Sequence, residues 1–164
     1  MNQLNLRSRQ RVRLVDGRLL GRLVRDLLTR LLAVPGFDLG INLVAAPEMT
    51  RLNETFLHHA GSTDVITFDY SEPPGASDFS PPILVSGELF VCVDEAVAQA
   101  IRYRTDWQTE LVRYIVHGIL HLTGYDDKKP DSRRRMKRAE DRLLRRLRNQ
   151  FSLWQLDRAI KVDV

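Results

Sequence analysis

The chain has 164 residues, 43% of them hydrophobic and 7% aromatic, and a formal net charge of +4 at pH 7. This length and composition predict one domain over residues 1–164, with a core packed mainly by aliphatic side chains. No apolar run reaches the roughly 20 residues of a membrane span, and the arginine-rich N-terminal residues lack the apolar core of a signal peptide. Cys92 is the only cysteine, which excludes an internal disulfide, so we expect a cytoplasmic protein.

Hydrophobic periodicity and turn residues divide the chain into about four strands and five helices. Asp16 is suited to cap the first helix, Pro47 to the first turn of the second, and Gly124 to the position just past the fourth. The apolar tail at 151–156 is expected to dock on the core. Interspersed strands and helices predict an α+β fold, with about five helices packed on a small four-stranded sheet. In chain order, the predicted elements are an extended segment at 3–14, a helix at 17–33, a strand at 38–45, a short helix at 47–57, a strand at 64–68, a loop at 70–82, a strand or hairpin at 83–94, and helices at 95–104, 109–122 and 132–147.

The basic residues are concentrated towards the two ends of the chain. Residues 1–30 contain eight arginines and two acidic residues, and residues 131–148 contain nine basic and three acidic residues. Residues 31–100 contain ten acidic residues and one basic residue, Arg51. Of the 25 basic residues, 21 are arginine, the side chain suited to bidentate phosphate contacts. Two interpretations stay open: a surface that binds a polyanion, or helix faces that are merely solvated.

The stretch HGILHLTGYDD, residues 117–127, indicates a metal site. His117 and His121 stand four residues apart on a predicted helix, which places both rings on one face, where they can bind one ion. Gly124 allows the chain to leave the helix in a left-handed conformation, and a carboxylate after such a turn can swing back towards the histidines. Two nitrogens and one oxygen would leave a coordination position open, as in catalytic zinc sites. Equally, Asp126 and Asp127 could form a turn or a cap, and such histidine pairs also arise by chance on partly buried faces.

The residue after the first histidine argues against one class of metalloenzyme. Zinc peptidases of the H-E-x-x-H type need a glutamate there as general base. In this chain that position is Gly118, so the pattern disfavours a peptidase of this type.

The histidine stretch closely resembles the His-Gly-x-Leu-His-Leu-x-Gly-Tyr-Asp-His signature of the YbeY family, bacterial endoribonucleases of ribosomal RNA maturation. LNETF with STDVITF, GELFVCVDEAVAQA and MKRAEDRLL are similar to further family segments in the same order, the last to a helix that ends in a Met-x-x-x-Glu run. The resemblance covers roughly residues 38–148. It implies a small mixed sheet, a metal-binding helix like that of the zincins, one zinc ion, and cleavage of single-stranded RNA in 16S rRNA maturation and ribosome quality control.

Carried over by position, the family's metal ligands correspond to His117, His121 and Asp127. The third family ligand is a histidine, and aspartate is shorter, charged and harder. It would lower the net charge of the site by one and make manganese or magnesium more competitive with zinc. Zinc bound by two histidines and a carboxylate is nevertheless ordinary chemistry.

A second departure concerns the cation that catalysis needs. The family carries an arginine, thought to act in catalysis, at the position of Leu57. Since charge that develops on the phosphate needs a cation nearby, we expect Arg51, Arg113 or a protonated His59 to act in its place. The two loop histidines, at 58 and 59, could equally be solvated.

Thr63 and Asp64 are expected to shape the floor of the site. In this interpretation Asp64 accepts an N–H from a ligand histidine. A helix cap or a turn hydrogen bond is the alternative for both residues.

The sequence therefore favours a metal-dependent endoribonuclease of ribosome maturation, with ribosomal RNA and the small ribosomal subunit as partners and neither DNA nor a membrane. A non-catalytic ribosome-assembly factor that retains the metal is the alternative that Leu57 keeps open. A metal hydrolase acting on another substrate, such as a peptide, is the third interpretation, against which Gly118 argues. Contacts from the arginine-rich ends to the RNA backbone are expected to be sensitive to salt and insensitive to sequence.

Overall fold

The computed structural model describes residues 2–71 and 85–159. Within these ranges, five α-helices pack on one four-stranded sheet, and no helix has the length and apolar character that crossing a membrane requires. A π-helical stretch, Leu27–Leu31, continues the first helix, and a 3₁₀ turn, Leu153–Leu156, follows the last. The strands are β1 (Asn2–Ser8), β2 (Phe37–Val44), β3 (Val65–Asp69) and β4 (Val85–Cys92), and the helices are α1 (Gly17–Asp26), α2 (Ala46–Phe56), α3 (Val93–Tyr103), α4 (Trp107–Leu122) and α5 (Pro130–Gln150).

The predicted α+β fold is confirmed, and the difference from the predicted elements concerns the N-terminal segment. The extended segment predicted at 3–14 ends at Ser8. There the side-chain oxygen of Gln10 accepts hydrogen bonds from the backbone N–H groups of Val12 and Arg13, at 2.7 and 3.0 Å, and closes a turn. The loop predicted at 70–82 lies, from residue 72 onward, outside the described residues.

The sheet is mixed, with the strand order β1-β2-β4-β3. The pairs β1–β2 and β2–β4 are parallel, and β3 runs antiparallel to β4 at the edge. One face of the sheet packs against α1 and α4 and carries the main core, to which alternate residues of β2 contribute fully buried side chains: Phe37, Leu39, Ile41 and Leu43. The other face carries a smaller apolar cluster beneath α2, formed by Val44, Met49, Ile66 and Cys92.

The tail after α5 returns to the start of α1. Leu153 and Leu156 are buried in the main core, and the carbonyl of Leu156 accepts a hydrogen bond of 2.8 Å from the N–H of Asp16. The expected docking of the tail is thus confirmed for these two leucines. It is wrong for Trp154, whose side chain stays on the surface.

Helix α4 lies in the middle of the molecule. It begins at Asp106, whose carboxylate caps the helix by accepting the N–H of Thr109 at 2.8 Å. Of its 16 residues, 13 are buried. The three that are not are Arg113, His117 and His121, and their spacing of four residues aligns them along one stripe of the helix. The core therefore covers α4 on every side except this stripe.

Two glycines allow α4 to approach the sheet closely. A Cβ added at Gly118 would lie 2.8 Å from Cδ2 of Leu89 on β4. On the sheet side, a Cβ added at Gly87 would lie 2.3 Å from the carbonyl oxygen of Phe68 and 2.9 Å from Cδ2 of Leu122. These separations are shorter than van der Waals contact. A side chain at Gly87 would require the backbone of the sheet to move, and one at Gly118 would displace the side chain of Leu89.

This close approach predicts that replacing Gly87 with alanine destabilises the fold. The new methyl group would overlap the backbone of β3, and overpacking of this kind typically costs about 1–3 kcal/mol of unfolding free energy. Gly21 on α1 is the matched control, because an added Cβ there meets no atom within 4 Å. Gly21→Ala should stabilise the protein by about 0.5–1 kcal/mol through helix propensity. Urea unfolding of the two variants measures both effects, and equal effects of the same sign would contradict the packing described here.

Candidate metal centre

Three side chains from α4 and the turn after it converge on one point. The Nε2 atoms of His117 and His121 lie 3.2 Å apart. The Oδ2 atom of Asp127 lies 3.8 Å from Nε2 of His117 and 3.5 Å from Nε2 of His121. The histidine side chains are 29% exposed and that of Asp127 is 43% exposed, so the point where the three atoms meet is accessible from solvent.

The separations between these atoms suit a metal ion. Ligand atoms held tetrahedrally at about 2.0–2.2 Å from one ion lie about 3.3–3.6 Å apart. The observed separations of 3.2, 3.5 and 3.8 Å bracket that range. His117, His121 and Asp127 could therefore hold one metal ion, and three protein ligands would leave a fourth position open, as in catalytic zinc sites.

The turn that ends α4 brings the carboxylate back to the histidines. Gly124 has a φ of +104°, in the left-handed region that glycine adopts without strain. Its N–H donates to the carbonyl of His121 at 3.2 Å, and the N–H of Tyr125 donates to the carbonyl of Leu120 at 3.0 Å. This pair of bonds is the Schellman motif, which satisfies the last carbonyls of a helix and reverses the chain.

The carboxylates of the two aspartates in the turn, Asp126 and Asp127, have different partners. Asp126 accepts the backbone N–H of Lys128 at 2.8 Å through its carboxylate and so stabilises the turn. Asp127 directs its carboxylate towards the histidines instead. The backbone carbonyl of Asp127 accepts a hydrogen bond of 3.2 Å from Nε of Arg133, which ties the ligand loop to the first turn of α5.

The outer nitrogen of each histidine faces an oxygen atom of a neighbouring residue. Nδ1 of His121 lies 3.2 Å from the carbonyl oxygen of Tyr125, which can only accept. Nδ1 of His117 lies 3.7 Å from Oε2 of Glu140. With a proton on each Nδ1, both Nε2 lone pairs point at the common centre beside the Asp127 carboxylate. A cation at this centre stabilises the converging lone pairs. Carbonyl and carboxylate oxygens behind the rings orient metal-bound histidines in many sites.

Glu140 also changes the acidity of His117. The interaction with the Glu140 carboxylate raises the pKa of His117 above its ordinary value, outweighing the opposing effect of burial, and the charges of Asp64 and Asp127 add to the rise. Only the neutral ring binds a metal. Metal affinity is therefore lost as the pH falls through this raised pKa, and protons compete at a higher pH than at an isolated histidine.

Sequence reasoning missed the role of Glu140. Its side chain is 8% exposed, and buried carboxylates require partners. Besides His117, it lies 3.7 Å from Nη1 of Arg113 and 3.9 Å from Nζ of Lys137. The Met136–Glu140 run was visible as part of the family resemblance, but nothing in the local sequence indicated that it packs against the histidines.

Arg113, one of the predicted catalytic cations, is surrounded by acidic groups. Its guanidinium donates to the carboxylate of Asp141 at 3.0 Å and lies 3.7 Å from carboxylate oxygens of both Glu110 and Glu140. It stands one helical turn before His117 on the exposed stripe of α4. Its positive charge is thus already compensated, and its contacts hold α5 against α4.

The other two predicted cations, Arg51 and His59, lie on the surface at α2 and the loop after it. Within the described ranges, neither side chain makes a hydrogen bond or an ion pair. The loop is tethered by Asn53, whose carbonyl accepts the N–H groups of Leu57 and His59 at 3.1 and 3.2 Å. The structure does not bring Arg51 or His59 into contact with the histidine–aspartate cluster, and their catalytic roles stay predictions.

Asp64 does not contact a ligand histidine. Its carboxylate accepts the backbone N–H of Val65 at 2.7 Å and the hydroxyl of Thr63 at 3.3 Å, and its carbonyl accepts the N–H of Cys92 at 2.8 Å. The expectation of a histidine contact is wrong, and the turn hydrogen bond is what the structure contains. Glu140 occupies the position that was expected for Asp64.

Comparison with known proteins places these features in a family. The family model described as Endoribonuclease YbeY matches residues 6–148. A curated relative named Endoribonuclease YbeY from Nocardioides sp. is 37% identical over 131 residues, which cover 79% of this chain and 88% of the relative. Relatives of the same name from Chlorobium phaeovibrioides and Salinibacter ruber are 42% and 38% identical, over 59% and 57% of this chain. The matched part spans 60% of the length of each of these two relatives.

A solved structure shares the fold at lower sequence identity. The solution structure of TM1509 from Thermotoga maritima superposes with a TM-score of 0.62 and 22% sequence identity, and the match covers 98% of this chain and 97% of that one. At this identity the similarity concerns the fold alone.

The geometry around His117 predicts that Glu140→Gln weakens metal binding by roughly 10- to 100-fold, the usual effect of losing a carboxylate behind a metal-bound histidine. Competition with a chromophoric zinc chelator, on protein without a histidine tag and at neutral pH, measures the affinity. Asp141→Asn is the matched control, since it removes the same charge from the same helix and the same Arg113 contact but does not face His117. Equal affinities of the two variants would show that Glu140 does not orient the ring.

Proposed function

Because the chain belongs to the endoribonuclease YbeY family, we propose that it is a metal-dependent endoribonuclease that cleaves single-stranded RNA. Its proposed substrate is 16S ribosomal RNA within the small subunit, during maturation and quality control. The observation that carries the proposal is the convergence of His117, His121 and Asp127 at a point open to solvent. The two-nitrogen, one-oxygen set favours zinc as the bound ion.

The bound cation would supply Lewis-acid stabilisation of the phosphoryl oxygens. It would also lower the pKa of a bound water molecule towards neutrality. Residues behind the two histidines keep the rings oriented for metal binding. Glu140 and the carbonyl of Tyr125 hold the two histidines with their Nε2 atoms directed inward. Arg113 lies 3.7 Å from the second carboxylate oxygen of Glu140 and helps to keep this side chain in place.

The cation that stabilises charge on the reacting phosphate is expected among Arg51, His59 and a further candidate, Arg133. Arg133 contacts the backbone of the ligand Asp127 through Nε, which leaves the rest of its guanidinium available. Arg113, by contrast, is best assigned a positioning role because three carboxylates surround it. A peptidase activity has no support, because the position of its general base is Gly118, where Leu89 leaves no room for a side chain.

We also propose that residues 1–164 form one domain that acts in the cytoplasm. The described tail and most of the strands and helices share one main core, and α2 packs on the other face of the same sheet, which supports a single unit. The free thiol of Cys92 is buried, and burial raises its pKa, as suits an unmodified cysteine in a reducing compartment.

Cleavage of a single-stranded ribosomal RNA fragment by the purified protein tests the proposed function. Product should form with added zinc and disappear with a chelator, and Asp127→Asn should abolish both cleavage and tight metal binding because one of three protein ligands is lost. Asp126→Asn is the control, since asparagine keeps the turn hydrogen bond to Lys128. Cleavage that persists in the Asp127 variant and in chelator would point to a contaminating nuclease and contradict the assignment.

A non-catalytic ribosome-assembly factor is the second candidate, and one specific observation favours it. Leu57 stands where the resemblance implies a catalytic arginine, and the arginine on the exposed stripe of α4, Arg113, is compensated by carboxylates. Such a factor would bind RNA and a metal ion without turnover.

Restoring the arginine distinguishes the two candidates. If the missing cation limits catalysis, Leu57→Arg should raise the cleavage rate constant roughly 10-fold or more, as expected for a charge placed near the reacting phosphate. Ala60→Arg, on the same exposed loop, adds an equal charge as the control. Single-turnover rates at saturating protein separate catalysis from RNA affinity. A rate unchanged by Leu57→Arg in an active parent would show that another group already supplies the charge.

A further inference from the structure

The outer surface of α5 is a row of arginines without acidic partners. The side of the helix that faces the core carries Met136, Ala139, Leu143, Leu144 and Leu147. The opposite side carries Arg138, Arg142, Arg145 and Arg146, all exposed, and we call these four the outer arginine face. At 1.5 Å per residue, it extends about 12 Å along the helix.

Other basic residues of α5 have acidic partners. Lys137 lies 3.3 Å from Asp141, and Arg134 forms an ion pair with Asp131. In contrast, no carboxylate of the described residues lies within ion-pair distance of any member of the outer arginine face. The one partly exposed carboxylate between Arg138 and Arg146, that of Asp141, is paired with Arg113 and Lys137. The outer arginine face therefore has no counter-charge of its own, whereas merely solvated helix faces usually mix the two signs.

This arrangement opposes helix stability. Arg138, Arg142 and Arg146 follow one another at four-residue spacing, where like charges repel. The repulsion is relieved when a polyanion supplies the missing counter-charges. A nucleic-acid backbone suits the face better than an acidic protein does, because guanidinium groups contact phosphates in bidentate fashion and a continuous strand matches a continuous row.

The outer arginine face is separate from the candidate metal centre. Glu140, which contacts His117, lies on the inner side of α5 among the buried residues. RNA that contacts the outer side of the helix therefore cannot be the nucleotide at the metal ion. RNA on the outer arginine face must therefore be a flanking part of the molecule that is cleaved. Either the cleaved strand continues around α5, or an adjacent duplex lies against the outer side of this helix.

We propose that the outer arginine face is a docking surface for the sugar–phosphate backbone of RNA that flanks the cleaved single strand. The proposal rests on the proposed function for the identity of the nucleic acid. The face would add affinity and orientation for a large RNA without reading its sequence.

The test compares the triple variant Arg138→Gln, Arg142→Gln, Arg145→Gln with a scattered triple variant, Arg102→Gln, Arg104→Gln, Arg158→Gln, whose positions lie outside the two arginine-rich ends of the chain. The scattered positions are exposed arginines that form no ion pair within the described residues, so both variants lose the same charge. Binding is measured for an RNA hairpin with a single-stranded tail and for the tail alone, over a series of salt concentrations. Far-UV circular dichroism and thermal unfolding show that each variant is folded.

The outer triple variant should bind the tailed hairpin roughly 10-fold or more weakly, and its slope of log affinity against log salt should fall by about 2–3, the effect of three lost phosphate contacts. The scattered variant should keep most of the affinity, and binding of the tail alone should be alike in all three proteins. A lysine triple variant at the same three positions should retain much of the salt slope. Equal losses in the outer and scattered variants, or no loss in either, would overturn the proposal.

Two further outcomes are distinguishable. If polyglutamate displaces the tailed hairpin from the parent protein as well as unlabelled RNA does, the face binds acidic protein rather than RNA, and the proposal is overturned. If the parent shows the expected binding pattern but no chelator-sensitive cleavage, the endoribonuclease assignment fails while the docking surface stands.

Discussion

The close approach of α4 to β3 and β4 determines where the metal centre forms. Gly118 and Gly87 bring the helix against the sheet without an intervening side chain, so the core can enclose α4 almost completely. Only the stripe of Arg113, His117 and His121 is left uncovered. Packing thereby sets the rotation of α4 about its own axis. Because this rotation is fixed, the histidine side chains can only point to the uncovered side. Sites built on such rigid elements hold their geometry better than sites built on loops.

A second constraint comes from α5, which brings a buried carboxylate to the other side of His117. Glu140 is 8% exposed, and a buried charge is unfavourable unless it is paired. Arg113 and the N–H of His117 provide that pairing. A cation bound at Nε2 would polarise the ring and strengthen its N–H as a donor to Glu140. Metal binding and the packing of α5 on α4 would then stabilise each other, as expected where a metal site spans separate elements.

What could be predicted from the sequence depends on how local the responsible interaction is. The histidine pair and the turn at Gly124 involve neighbouring residues, so spacing alone indicated that a carboxylate could return to the histidines. Spacing did not decide whether Asp126 or Asp127 faces the histidines, and the family resemblance indicated Asp127. In the structure the two differ because the carboxylate of Asp126 accepts the N–H of Lys128, whereas that of Asp127 does not. Glu140 belongs to another helix and reaches His117 only through tertiary packing, so no local pattern could assign its role.

Two of the wrong expectations have a common physical origin in polar side chains that bond the nearby backbone. Asp64 satisfies its carboxylate with the N–H of Val65, and Gln10 closes a turn with Val12 and Arg13. Such local bonds compete with both strand continuation and long-range contacts. Periodicity of apolar residues carries no information about them, which is why the fold could be predicted more completely than the polar surroundings of the site.

The distribution of positive charge separates RNA affinity from bond cleavage. With Asp127 in place of a histidine and Leu57 in place of an arginine, the net charge around the centre is two units lower than the family resemblance implies, because one negative charge is gained and one positive charge is lost. The arginines of α5 lie outside the centre and contact no reacting atom. Remote interactions that are equally strong in the ground state and the transition state increase affinity without increasing the rate of the chemical step. In the proposed function, the arginines of α5 supply RNA affinity, and catalysis depends on the proposed metal ion and the few groups around it.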